Sequence, residues 1–260
     1  VPAPELAVLV LSGLAVGSFL NVVITRVPAG ESVVAPGSHC RSCQAKIAPF
    51  DNVPLLSWIF LRGRCRSCRA RIPVRYPVIE AATALLFVAA GERFGGRLFT
   101  VAAACVFFAC LLAVSAVDLD HMIIPDRVLF PSLMVVAALL AAGTATAPGK
   151  PWHRMELAAL GAVASFAAFA VVHLAYPAGM GFGDVKLSML IGLFLGYIRL
   201  AVVPVGFFLA FAAATAVSLV IVATRRGGRK TRIPFGPFLS LGAFGAVMWG
   251  LPIARAWLGR

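Results

Sequence analysis

An all-α polytopic membrane protein is the fold class this sequence predicts, and three observations predict it. Of 260 residues, 61% are hydrophobic and only 13% charged, whereas a soluble domain of this length would show far more charge. Apolar runs of about 20 residues, enough to cross ~30 Å of hydrocarbon, recur along the chain. The basic residues fall mainly in alternate connections between those runs, the pattern that orients helices in a bilayer.

The runs predict eight helices, at about 5–25, 76–92, 98–117, 127–143, 156–176, 184–199, 201–224 and 237–257. The first, Leu6 to Ile24, has no basic segment before it and no A-x-A cleavage site after it, so it reads as a retained helix with its N-terminus outside. Inside loops then lie at 26–75, 118–127, 177–186 and 225–232 and hold 16 of the 23 Lys and Arg residues. The net charge of +13 is therefore read as an orientation signal, with no nucleic-acid partner expected. Gly13 with Gly17, and Gly192 with Gly196, form small-xxx-small faces suited to close helix packing. Pro131 and Pro204 are expected to kink their helices or mark ends.

The only sizeable polar segment, 26–75, carries Cys40-Arg-Ser-Cys43 and Cys65-Arg-Ser-Cys68. Two C-x-x-C pairs at this separation suit one tetrahedral zinc, four thiolates filling its shell. Two disulfides are the alternative, which a reducing inside compartment disfavours. A loop this short and polar builds little core, and a structural metal would supply the missing folding energy. Cys105 and Cys110, inside an apolar run, read as packing residues.

The chain has ten carboxylates, and Asp118, Asp120, Asp126 and Asp184 map to inside helix ends, in AVDLDHMIIPD and GFGDVKL. Acids at membrane depth are costly and point to function. Asp126 follows Pro125 at a helix start and reads as an N-cap. Asp120 is placed beside His121 in the loop. Asp184 could cap its helix, but the run from Val185 to Tyr197 gives only ~20 Å of helix, which carries Asp184 below the surface. Gly181 and Gly183 would permit an unusual turn there and leave room for a substrate backbone. Two carboxylates facing one water form an aspartyl protease dyad that shares a proton and needs no cofactor.

GSFLNVVITRVP at 17–28, the two C-x-x-C pairs, the D-x-D-x-x-x-x-P-D stretch from Asp118 to Asp126 and the GxGD run at 181–184 closely resemble the type IV prepilin leader peptidases. GxGD alone is shared with presenilin-like intramembrane proteases; the combination is far more specific. The resemblance implies an inner-membrane aspartyl endopeptidase that removes the short basic leader of type IV prepilins or pseudopilins after a glycine, at the cytoplasmic face. It places the catalytic aspartates at Asp118 and Asp184, with Asp120 the lesser candidate. Lys186 would steady the dyad's charge or act as a snorkelling anchor. The implied organisation is a first helix at 1–25, a cytoplasmic zinc-binding loop at 26–75 and a peptidase domain at 76–260. Members that keep the cysteine loop are often bifunctional and methylate the new N-terminus from S-adenosylmethionine. For a cationic group in that reaction Glu80, in RYPVIEAATALLF, is the best-placed acid, or else a polar anchor at a helix end. The rival class is a transporter whose two aspartates bind a proton or cation, which leaves the cysteine loop unexplained. A zinc-bearing assembly scaffold would leave the acid pair idle.

Overall fold

Backbone groups in a bilayer must be satisfied within their own segment, so long apolar runs fold as helices. The computed structural model describes residues 2–177, 179–224 and 233–259. It contains α1 (Ala3–Arg26), the short α2 (Leu56–Phe60), α3 (Arg75–Phe94), α4 (Leu98–His121), α5 (Asp126–Thr146), α6 (His153–Ala175), α7 (Phe182–Ile198), α8 (Val202–Ala223) and α9 (Gly236–Trp257). Among the described residues there are two isolated β-bridges, both in the cysteine loop, and no longer strands. The basic loop expected at 225–232 lies outside the described residues.

The eight long helices fall where the apolar runs predict them, and six are long and apolar enough to cross a membrane. The count of eight spans is thus only approximate. Helix α7 has 17 residues, about 25 Å of rise, short of a full ~30 Å crossing. Helix α3 carries Glu80, Glu92 and Arg93 within its length. The chain is a multi-pass membrane protein.

Packing divides the chain into two units, Val1–Gly95 and Gly96–Arg260. In the first, α1 lies against α3. A Cβ on Gly13 would stand 2.6 Å from the Ala84 Cα, and one on Gly17 2.7 Å from the Glu80 Cα. The small face on α1 is therefore where the backbones meet. In the second unit, α6 packs along α7, with Gly161, Gly192 and Gly196 at the crossing; a Cβ on Gly196 would meet the Leu157 carbonyl oxygen at 2.5 Å.

Helix α4 is the most enclosed of the six apolar helices. Phe107 on α4 stacks on Phe194 of α7, centroids 4.3 Å apart. Ser115 donates to Ser240 of α9 at 2.7 Å, and Thr144 of α5 meets the Tyr197 hydroxyl of α7 at 3.1 Å. These ties gather α4, α5, α7 and α9 around the inner carboxylates. Pro131 sits inside α5, whereas Pro204 occupies the first turn of α8, where its missing N–H has no intrahelical role. Cys105 and Cys110 are buried in α4, as packing residues would be.

Candidate active site and metal centre

Helix α4 runs one turn further than its apolar stretch, to His121, and ends on Met122 in the left-handed conformation. Both Asp118 and Asp120 therefore lie on the helix, which corrects the placement of Asp120 in a loop. Two residues apart, they point some 200° from one another. Asp118 is buried, 5% exposed, and Asp120 is exposed. Asp184 is the third residue of α7, after Gly181 as N-cap, and is also buried, at 8%. The charge of Asp118 bears directly on Asp184.

Two helix N-termini face this pair. Asp184 lies in the first turn of α7, with the Gly181 amide against its carboxylate. The Gly236 N–H, at the first residue of α9, donates to Asp118 Oδ2 at 2.8 Å. Helix N-termini are positive ends with free donors, suited to holding carboxylates in a poorly hydrated place. Gly236 was missed by sequence reasoning. Its signal was the Pro-Phe-Gly-Pro run at 234–237, which read only as a helix start.

A Cβ on Gly236 would approach Asp118 Oδ2 to 2.8 Å, and one on Gly183 would approach the Ile124 Cβ to 2.9 Å. Gly183 thus lets α7 start close against the connector after α4. Gly181 has an extended backbone, φ −70° and ψ 143°, that other residues also adopt, and a Cβ there would only reach ordinary contact with Asp184 Oδ2, at 3.4 Å.

Lys186 does not neutralise the pair directly. Its Nζ donates to both carboxylate oxygens of Asp126 at 2.8 Å, with the Phe182 and Phe130 rings 5.2 and 5.7 Å away. Asp126 is the first residue of α5 and makes no capping hydrogen bond, so its reading as an N-cap is corrected: it is the partner of Lys186.

In the first unit, the cysteine loop is two copies of one turn. Cys40 N–H bonds Ala45 O and Gln44 N–H bonds Cys40 O; Cys65 N–H bonds Ala70 O and Arg69 N–H bonds Cys65 O. Gln44 and Arg69 both have left-handed φ, near 60°, and β-bridges His39–Lys46 and Arg64–Arg71 close the two turns. The four Sγ atoms of Cys40, Cys43, Cys65 and Cys68 lie within 4.8 Å of one another and could hold a metal ion. Amides of Cys43 and Ser42 lower the Cys40 thiol to about 6. The Cys68 thiol is pushed up to about 11: the Ala70 amide favours its thiolate, but hydrogen bonds with Cys43, burial and the other thiols outweigh it. Arg66, in the second turn, grips Asp51 through Nε and a terminal nitrogen at 2.7 and 2.6 Å, holding that carboxyl below its usual range. Glu80 is buried in α3 and accepts the Leu55 N–H at 2.8 Å.

A bundle of apolar helices thus holds two buried aspartates, and the four-cysteine cluster lies in the other unit. Residues 11–94 match the bacterial peptidase A24 N-terminal domain and residues 105–221 the type IV leader peptidase family. The chain is 36% identical to the prepilin leader peptidase/N-methyltransferase of Bacillus subtilis (strain 168), over 94% of each chain. It is 35% identical to the type 4 prepilin-like proteins leader peptide-processing enzyme of Escherichia coli O78:H11, over 95% of this chain and 94% of that one. A Pseudomonas putida prepilin leader peptidase/N-methyltransferase is 31% identical over 96% of this chain and 92% of its own length. No solved structure matches the chain. The chain belongs to the type IV leader peptidase family.

Proposed function

We propose that this protein is an aspartyl endopeptidase of the bacterial inner membrane that removes the basic leader of type IV prepilins or pseudopilins after a glycine, at the cytoplasmic face. The observation that carries the reading is the burial of Asp118 and Asp184, from two helices, within reach of each other's charge. Like charges so placed share one proton. The ionised aspartate takes a proton from water as the water attacks the peptide carbonyl, and the protonated one donates to the carbonyl oxygen. The tetrahedral adduct then collapses, its C–N bond breaking as an aspartic acid proton passes to the leaving nitrogen. The developing negative charge forms beside the N-terminus of α7, and Gly236 holds the Asp118 oxygen in place. Lys186 and Asp126 act as a strut between α7 and α5.

The cysteine loop binds one structural zinc through Cys40, Cys43, Cys65 and Cys68. Tetrahedral zinc with bonds of about 2.3 Å sets sulfur–sulfur edges of about 3.8 Å, and Cys40 and Cys68 stand 3.8 Å apart. The metal supplies folding energy to a loop with little core of its own. The names of the relatives support a second step, methylation of the new N-terminus with S-adenosylmethionine as donor. The functional parts are then the first helix, the cytoplasmic loop at 26–75 and the helices from 76 onward, with lipid around them.

The test is cleavage of a prepilin-like peptide, basic leader ending in glycine, by purified protein in detergent. Asp118→Asn and Asp184→Asn keep side-chain volume and should each lower the rate by ~100-fold or more, while Asp120→Asn stays close to wild type. Near-normal cleavage by Asp118→Asn with loss in Asp120→Asn would overturn the assignment.

A further inference from the structure

The cysteine loop leaves the end of α1 and then returns to the flank of the helices it joins. Helices α1 and α3 run antiparallel, with Gly17 against Glu80 and Asn21 Nδ2 donating to the Tyr76 carbonyl at 3.1 Å. Glu80 accepts the Leu55 N–H at 2.8 Å and a hydrogen bond from the Ser18 hydroxyl. Ser18 precedes Arg26, the last residue of α1, by eight positions, or about 12 Å along the axis. Leu55, in mid-loop, is therefore held level with the apolar run of α1, well below the point where the chain leaves that helix. At this level Phe19 of α1 and Val78 of α3 are exposed, as side chains that face lipid would be.

Leu55 makes this return on a strained turn. Its backbone stands at φ 61° and ψ −52°, with the Leu56 N–H on the Pro54 carbonyl at 2.7 Å, the rare positive-φ γ-turn. Such a conformation persists where its surroundings over-determine it, and here Glu80 holds the amide. Helix α2 begins at once, and its other side is fixed by Trp58, whose Nε1 donates to the Ile72 carbonyl, three residues before α3, at 3.2 Å. Ser57 Oγ donates to the Phe50 carbonyl and accepts the Val53 N–H, both at 3.0 Å. The N–H groups of Leu55, Leu56, Ser57, Ile59, Leu61 and Gly63 all find acceptors in the loop or in α3. A backbone so satisfied asks little of water, which is the condition for lying against lipid.

The two faces of α2 differ in kind. Ser57, Trp58 and Leu61 line a cavity inside the loop, whereas Leu56, Ile59 and Phe60 are 52%, 60% and 81% exposed. Three large apolar side chains on so short a helix make a poor surface for water. Arg62 and Arg64 follow directly, a β-bridge sets Arg71 opposite Arg64, and all three are exposed. Residues 26–75 as a whole carry nine Lys and Arg against two acids. An apolar wedge beside a basic rim suits the membrane interface, the wedge at the acyl boundary and the arginines among the phosphates.

We infer that the outer face of α2 is an interfacial anchor: Leu56, Ile59 and Phe60 insert into the bilayer beside α1 and α3, and Arg62, Arg64 and Arg71 bind anionic phospholipid headgroups. Lipid is the occupant, rather than a protein partner, because Glu80 pins the start of α2 at the level where α1 and α3 turn apolar side chains outward. The metal loop is then fastened to the membrane at a third place besides its two helices, and this third place sets its depth.

The test puts the photoreactive residue benzoylphenylalanine in place of Phe60, or of Leu61, in the full-length, zinc-loaded protein. The host is a nanodisc with equal amounts of phosphatidylglycerol and phosphatidylcholine. After irradiation, mass spectrometry should find phospholipid adducts at position 60 and cross-links within the chain at position 61, on the cavity face of the same helix. Label from position 60 confined to protein, whether this chain, a second copy or another partner, overturns the anchor. The same readout at Ile59 gives a second position, and metal analysis of each labelled protein reports that the loop is folded. Among the adducts, phosphatidylglycerol should exceed phosphatidylcholine by about threefold or more, the preference of arginines for an anionic surface. Arg62→Gln, Arg64→Gln and Arg71→Gln together should bring that ratio close to one at unchanged zinc content. Equal recovery of the two lipids with all three arginines present, or a preference that survives their removal, overturns the headgroup contact.

Discussion

Gly236→Ala should impair cleavage without unfolding the protein, because its added methyl group meets the Asp118 carboxylate. The new Cβ would lie 2.8 Å from Oδ2 and 3.3 Å from Cγ, so the carboxylate must retreat by about 0.6 Å to reach ordinary contact at 3.4 Å. Misplacing a reacting group by ~1 Å costs on the order of 100-fold in rate, so a shift of this size should cost about 10- to 100-fold. Overpacking at this contact, at about 1–3 kcal/mol, gives a similar range. The helix itself should tolerate the change, since Ala is the better helix former and the backbone N–H remains. The assay is initial-rate cleavage of a prepilin-like peptide in detergent, paired with a thermal-unfolding midpoint. If Gly236 acts through Asp118, Asp118→Asn and the double variant should be equally inactive. Cleavage by Gly236→Ala within about threefold of wild type, with KM unaltered, would refute the positioning of Asp118 by this helix end.

The metal loop should respond to acid. Cys40, lowered to about 6 in the folded loop from a reference of 9.0, favours the folded, thiolate form above that range. That contribution is lost as pH falls through about 6, so bound zinc followed by metal analysis should be retained at neutral pH and released below that point. Cys40→Ser or Cys65→Ser should lower zinc below about one per chain at neutral pH; unchanged content would remove these cysteines from the ligand set. At the α6–α7 crossing, a Cβ on Gly192 would press on the Gly161 carbonyl and on Ser165 Oγ. Gly192→Ala should therefore destabilise by about 1–3 kcal/mol, read as a lowered unfolding midpoint in detergent, and an unchanged midpoint would mean that the two backbones are not in contact there.

The sequence by itself determined the helices and the cysteine centre, because both are local. A run of about 20 apolar residues needs no partner to declare a helix in lipid, and the observed helices fall on those runs within a few residues. The two C-x-x-C turns close through hydrogen bonds within six residues, so their metal-ligand geometry was legible from spacing. Distance along the chain is what hid the rest. Gly236 reaches Asp118 across 118 positions and Lys186 reaches Asp126 across 60, and no periodicity carries such pairings. Which of Asp118 and Asp120 is buried depends on which face of α4 turns inward, and only packing against α5, α7 and α9 decides that. Packing also assigned α3 to the unit of α1, and set Glu80 under a strained turn 25 residues before it. In lipid, where apolar surface drives helix association only weakly, close contacts and a few buried polar bonds choose the neighbours, and those contacts exist only once the helices have met.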